Sequence, residues 1–413
     1  MRPARVVIDL SPLRSGPGFR IVFAVRLVSL FAGGFRMVAL PLQVYAMTGS
    51  SALVASVSVV NGLASFGGTL LGGLLADRRD RRALILAALA VEAGVVALFA
   101  VNTYLPGGPV LWIIYLCAAV NGVFGTMGLI AQQAMVPALV GEQRLAAAAA
   151  LFALTAQLGA VGAPALSGAV VSSWGIGPGY IATSAIACAA TAAVWFLPVS
   201  RPRDLQQAPV FAAVAEGLAF VVRDPVVRPL LMLGFVQVLF AMPLVLIPEF
   251  TDRVLNGDAT AAGLLYTAPA AGALAASLTS GWTGHVRRSG TIVTVAVVLC
   301  GVAVAALGAS RGLPAALAAL ALLGCCQAVE EILRFSLLQS RTPDALRGRV
   351  TSAWLAQATV GGSLGATVLG LLAVLAGPAA ALLVGGGACA VAAAGIGILD
   401  SGLRRTGTPE TDC

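Results

Sequence analysis

The chain has no lysine; all 25 basic residues among its 413 are arginine. A phosphate loop of the Walker A type needs a lysine at the β/γ-phosphates, and imine catalysis needs a side-chain amine, so ATP hydrolysis and Schiff-base chemistry are excluded. His285 is the sole histidine, which rules out histidine clusters for zinc or haem. Charge is scarce as well. Charged residues make up 10% of the chain, whereas soluble domains carry about 25%, so too little polar surface exists to face water. Of the seven cysteines, Cys117, Cys188, Cys300, Cys325, Cys326 and Cys389 fall inside apolar stretches without regular spacing, and Cys413 ends a polar tail. They read as small core hydrophobes and not as a disulfide framework. The expectation is a chain with no enzymatic chemistry, no metal and no cofactor.

What the chain has in abundance is apolar length. Hydrophobic residues make up 59%, the mean hydropathy is +0.95, and a stretch of about 20 apolar residues crosses a bilayer as a helix. Twelve such stretches are separated by polar or turn-rich breaks: 20–47, 51–76, 83–103, 110–135, 146–172, 180–198, 229–251, 260–284, 290–309, 314–338, 350–376 and 378–400. A buried soluble bundle fails as an alternative because no polar faces are left over. The fold class is therefore an all-α integral membrane protein with twelve transmembrane helices. The first stretch is long and lacks a small-residue cleavage site, as in a retained first span and not a cleaved signal peptide. Positive charge stays in the cytoplasm, and about twenty arginines fall on one side against Arg253 and Arg311 on the other, which places both termini in the cytoplasm.

The longest hydrophilic break, 199–228, divides the chain into six-helix halves, 1–198 and 229–413 with its short tail. Within this cytoplasmic linker Val210, Phe211, Val214, Leu218 and Val221 recur at helical spacing, as in a short helix lying on the membrane surface. The halves repeat. Pro137 to Gly141 before the fifth span resembles Pro343 to Gly348 before the eleventh, and Gly159 and Gly365 follow at one offset. Related halves imply a binding site near the midplane. Glycine-rich spans, with Gly67, Gly68, Gly72 and Gly73 as the clearest run, are expected where helix backbones pack closely.

The loop after the second span carries Gly73, Asp77, Arg78, Arg79, Asp80, Arg81 and Arg82. This string resembles the cytoplasmic signature of the major facilitator superfamily, whose pattern runs glycine, three residues, aspartate, a basic residue, any residue, glycine and two basic residues. It departs at Asp80, where the pattern has glycine, which puts the tightness of that turn in question; the second copy, Gly281 to Arg288, keeps only glycines and arginines. The electrostatic reading of the motif is a carboxylate facing a helix amino end while arginines pair across, a gate more than a substrate site; the bland reading of four loop arginines is an orientation signal. Phe19 to Ser29, Pro137 to Gly141 and Leu337 to Val350, together with the acid-containing loop, look like the siderophore (enterobactin) exporter branch of that superfamily, which has relatives among macrolide efflux proteins.

The resemblance implies that the first, fourth, seventh and tenth spans line a cavity, and it places Arg26, Arg36, Asn121, Gln237, Glu249, Glu330, Glu331 and Arg334 on them; Asn61 and Glu92 fall on peripheral spans. Ionisable groups inside a span are costly and functional by default. Glu330 and Glu331 both lie within helical reach of Arg334, and adjacent carboxylates in a cavity suit a proton carrier. A structural pair snorkelling to the headgroups is the other reading. Arg26 lies at a depth similar to Glu330, so either an interdomain ion pair or snorkelling is open to it. Arg36 is deeper, where an anionic substrate group or Glu249 can neutralise it, and Glu92 reads more readily as a protonated buried acid than as a coupler.

What the resemblance implies for function is proton-coupled secondary export of a small molecule, foremost a catecholate siderophore, by a monomer in the cytoplasmic (inner) membrane whose partners are substrate, protons and lipid bilayer, with no nucleic acid. A drug or macrolide antiporter of the same fold is the alternative, a nutrient importer a third. A receptor or scaffold would need a soluble signalling domain, and none is evident. The loop motif generates one expectation directly: Asp77→Asn reaches the membrane but exports poorly, because the helix-end and arginine contacts of the carboxylate are gone. Near-normal export by well-expressed Asp77→Asn protein contradicts the gating role.

Overall fold

The computed structural model describes residues 11–14, 16–76, 78–141, 144–197, 224–279, 286, 288–342 and 344–400. The linker helix expected over 210–221, His285, Asp77 and most of the loop copy at 281–288 lie outside the described residues. Regular structure among the described residues is entirely helical: α1 Pro17–Thr48, α2 Ser51–Ala76, α3 Arg81–Thr103, α4 Leu111–Val140, α5 Leu145–Trp174, α6 Ile176–Val194, α7 Val227–Phe240, α8 Ile247–Arg253, α9 Ala259–Leu278, α10 Ser289–Ala309, α11 Leu313–Arg341, α12 Asp344–Ala376 and α13 Pro378–Leu399. A single 3-10 turn, Pro243–Leu246, joins α7 to α8, so that α7, the turn and α8 form one span, and the described residues hold twelve spans long and apolar enough to cross a membrane. The stretches expected from the sequence agree with them to within a few residues, apart from this break. Large apolar side chains such as Phe196, Leu278, Leu375 and Leu399 stand exposed on the outside, where a bilayer replaces water as solvent.

Two compact units emerge. The first comprises Met1–Gln43 and Val60–Gln206, the second Val44–Val59 and Gln207–Cys413; the end of α1 and the start of α2 thus belong with the second unit. In the first unit α3 packs on α4 and α6, and in the second α10 packs on α11 and α13. The same relation, third span on fourth and sixth, ninth on tenth and twelfth, is what a duplicated chain should show. Turn chemistry repeats too. Gly175 alone separates α5 from α6 at φ +86°, and Gly377 alone separates α12 from α13 at φ +82°. A side chain there would be strained in the left-handed region. Gly159 packs against Leu30 of the first span and Gly365 against the Val238 and Leu239 carbonyls of the seventh, so the offset seen in the sequence corresponds to one packing position used twice.

The break in the seventh span is caused by Pro243 and Pro248, which cannot donate a backbone N–H. Pro248 cannot donate to the Leu244 carbonyl in the α-helical register; that oxygen accepts instead from the Ile247 N–H and from the Tyr266 hydroxyl of α9, the latter at 2.9 Å. The Ala241 carbonyl receives the Gln327 amide of α11 at 3.3 Å. Neighbouring helices thereby satisfy backbone that lipid could not.

Glycine seams set the helix spacing. Gly68 and Gly72 of α2 lie against Val123 and Met127 of α4, and Gly122 of α4 lies against Asn61 and Ser65 of α2; Gly67 and Gly73 meet nothing within 4 Å. Half of the expected run is thus a true contact. Asn61 adds a hydrogen bond across the same seam, donating to the Ala118 carbonyl at 3.0 Å. A Cβ on residue 68 would stand 2.7 Å from the Val123 Cα, so Gly68→Ala should cost about 1–3 kcal/mol and lower the thermal midpoint of the purified protein by several degrees. Gly67→Ala should stay within about 0.5 kcal/mol of the parent. Equal shifts for the two variants contradict the seam.

Candidate functional site

The loop after α2 is built around the start of α3. Asp80 takes φ −62° and ψ 117° and its side chain accepts from the Arg82 backbone N–H at 3.1 Å, a helix amino-terminal cap. No left-handed residue is needed here, so aspartate replaces the glycine of the motif without loosening the turn, and the question raised by that departure is answered. Arg81 donates to the Ala134 carbonyl of α4 at 2.8 Å, and Arg82 to the Trp195 carbonyl at the carboxy-terminal end of α6 at 2.5 Å. Both cations thus meet the carbonyl-rich ends of helices. Gly73 faces open space, Arg78 is exposed, and Asp77 lies outside the described residues.

A cavity of about 360 Å³ opens within the first unit, walled by α1 to α5. Its polar lining starts on α1, where Ser29, Gly33 and Arg36 follow at helical spacing on one face. Across from them Asn121 and Gln132 of α4, three turns apart, share a second face. The Ser29 Oγ, Asn121 Nδ2 and Gln132 Oε1 atoms are buried without a hydrogen-bond partner among the described residues. Uncompensated polar atoms in a membrane interior cost free energy until something hydrogen-bonds to them, so this wall can take a polar ligand.

The cavity's charges are paired. Arg36 Nη1 donates to Glu92 Oε1 of α3 at 2.7 Å, with both side chains nearly buried. Two expectations are corrected by this pair. Glu92 is not an isolated acid on a peripheral helix but pairs with Arg36 in the cavity wall, because a guanidinium holds its charge even when buried and draws a carboxylate to it. Nor is Glu249 the partner of Arg36. Glu249 is bound by Arg253 at 2.9 Å and accepts a short hydrogen bond from Ser51, while the neighbouring Asp252 accepts from Tyr45 at 3.3 Å.

In the second unit Arg334 Nε lies 2.9 Å from Glu330 Oε1, yet the N–H is not aimed at that oxygen, so the contact is electrostatic and not a directed hydrogen bond. The guanidinium crosses the Trp354 ring at 5.4 Å and fits where Gly234 has no side chain. Glu331 is exposed; of the two acids within reach, Glu330 holds the arginine. Gln237 is buried with its amide toward the Cys300 sulfur at 3.7 Å, a packing position of α10. Arg26 is buried over the Phe152 ring at 4.5 Å. No cluster of three or more metal-ligating side chains occurs among the described residues.

Sequence reasoning placed Arg36 and Asn121 on the cavity and missed Ser29, Gln132 and the role of Glu92. The spacing of Ser29 from Arg36, and of Gln132 from Asn121, was the signal available for the first two. Nothing in the sequence alone paired α1 with α3.

Known proteins bear on this site. The sequence profile of the Major Facilitator Superfamily matches residues 22–366 and 238–410. The chain belongs to that family, whose members are secondary transporters, and it is a multi-pass membrane protein. It is 32% identical over 406 residues to "Enterobactin exporter EntS" of Citrobacter koseri, covering 98% of this chain and 96% of that one. It is also 32% identical to the protein of the same name from Shigella boydii serotype 4, with 92% and 91% covered. Among solved structures the nucleoside transporter NupG matches with a TM-score of 0.75 at 14% identity, covering 92% of this chain and 98% of that one. A POT family transporter in complex with 5-aminolevulinic acid matches with a TM-score of 0.73 at 12% identity, covering 93% and 96%. At such identities these two define the fold alone.

The buried pair generates a stability prediction. Glu92→Gln leaves Arg36 charged and uncompensated and should cost about 3–5 kcal/mol, whereas the double variant Arg36→Met with Glu92→Leu should recover most of that loss. Thermal unfolding of the purified single and double variants measures it. A double variant as unstable as Glu92→Gln, or less stable, would show that the pair is not what balances the wall.

Proposed function

We propose that this protein is a secondary exporter of a catecholate siderophore of the enterobactin type, driven by proton entry. The observation that carries the reading is the agreement over 98% of the chain with a protein named an enterobactin exporter, which a shared fold alone would not supply. The first-unit cavity supports it. A wall with unsatisfied donors and acceptors beside an arginine and a carboxylate suits a substrate rich in hydroxyl and anionic oxygen, better than the permissive apolar site of a drug antiporter. Both termini lie in the cytoplasm of a cell whose inner membrane holds the protein, the halves 1–198 and 229–413 are joined by the linker 199–228, and the transporter works as a monomer.

Export against a gradient needs a group whose protonation biases the two access states differently. Glu330 and Glu331 serve that role, with Arg334 holding one carboxylate while the other takes the proton; Glu92, bound to Arg36 at the cavity wall, is the next candidate. The loop residues Gly73, Asp77, Arg78, Arg81 and Arg82 gate without touching substrate.

A strain lacking the gene should retain siderophore in its cells, and the wild-type gene should return it to the medium. The variant with both Glu330→Gln and Glu331→Gln, present in the membrane in normal amount, should fail to do so. Unchanged secretion by the deletion strain, or by a strain relying on the double variant, sinks the substrate assignment in the first case and the coupling assignment in the second.

A further inference from the structure

A second cavity, about 410 Å³, lies in the first unit and shares Ala156 with the first. Its walls come from α1, α4 and α5 and are mostly small and apolar, among them Val136, Pro137, Ala149 and Ala153. Arg26 is set into this surface. It is 8% exposed, and its Nε and Nη1 have no hydrogen-bond partner among the described residues. One face of its guanidinium rests on Phe152, whose ring stacks in turn on Phe19 with centroids 6.1 Å apart. No carboxylate lines the pocket among the described residues.

The second unit shows what this lack means. There too a buried arginine of a span crosses an aromatic ring, Arg334 over Trp354, but Glu330 stands 2.9 Å away to balance it. Cation–π contact alone replaces little of the hydration lost on burial. Arg26 therefore faces its cavity with an unbalanced charge and unused donors, and the ligand class that answers both is an oxyanion. The apolar walls and the aromatic floor add a preference for a flat ring behind the oxygens.

We infer that this pocket is a subsite for a single aromatic ring bearing adjacent anionic and hydroxyl oxygens, held by Arg26 and set between the apolar walls. The inference rests on the siderophore reading for its physiological ligand, one ring of the exported molecule, while the adjoining cavity around Arg36 takes the rest. Phospholipid headgroups and free phosphate share the oxyanion chemistry but not the ring.

Salicylate is the probe, titrated by calorimetry into purified full-length protein in nanodiscs, with the neutral salicylamide, inorganic phosphate and anionic phospholipid as comparisons. Salicylate should bind, and Arg26→Gln should weaken it at least about tenfold, the loss expected for a charge-assisted hydrogen bond; Arg26→Lys should keep part of the affinity. Ala153→Leu, which leaves the charge and fills the pocket, should abolish binding, and it keeps the test decisive should Arg26→Gln prove unstable. Undiminished binding to a folded Arg26→Gln or Ala153→Leu protein overturns the subsite, as does equal binding of salicylamide, phosphate or lipid. Secretion by the deletion strain reports separately on the siderophore reading. Arg26-dependent salicylate binding in a protein that does not export siderophore keeps the subsite and discards that ligand.

Discussion

A guanidinium inside a membrane-spanning helix keeps its charge, and the low dielectric around it makes that charge the most demanding feature of its neighbourhood. Arg26, Arg36 and Arg334 sit well inside their spans, away from the helix ends, and the arrangement around each follows from that constraint. Arg36 is answered by Glu92 on another helix. Arg334 is answered by Glu330 one turn earlier and by the Trp354 face. Among the described residues Arg26 has only the Phe152 ring. The compensation is graded: a hydrogen-bonded ion pair at Arg36, a carboxylate nearby without a directed hydrogen bond at Arg334, and among the described residues a ring alone at Arg26.

The scaffold that presents these charges is a duplicated set of close helix contacts. Without a hydrophobic drive between helices in lipid, approach depends on small residues, and the chain meets that need at matching places in its two parts. Gly122 nests on α2 and Gly324 on Pro269 of α9, Gly159 on the first span and Gly365 on the seventh. The seventh span departs from its counterpart in the first by breaking at two prolines, and Tyr266 and Gln327 donate to carbonyls at the break. A helix broken where side chains of two neighbours hold its carbonyls is suited to changing its bend during a transport cycle.

Most of the fold was legible in the sequence because bilayer crossing is a matter of length and apolarity, properties of a contiguous segment. The repeat was legible from Gly159 and Gly365. The break after Phe240 was not, since a span with Pro243 and Pro248 reads as equally apolar whether it bends or not. The site was legible only in part. Intramembrane charges announce themselves singly, so Arg26, Arg36, Glu330 and Arg334 stood out, but pairing is a property of packing. Glu330 with Arg334 lies within one helix and could be foreseen; Arg36 with Glu92 joins α1 to α3, and an assignment of α3 to the periphery concealed it. Ser29 and Gln132, uncharged and common in spans, became notable only once their buried oxygens proved to have no partner.

Transport by the purified protein tests the account most directly. Reconstituted into proteoliposomes with an acidic interior, the protein should accumulate a labelled catecholate siderophore above its external concentration, and a protonophore should release it. Entry that stops at the external concentration, or that ignores the proton gradient, would contradict proton-driven siderophore transport by this chain.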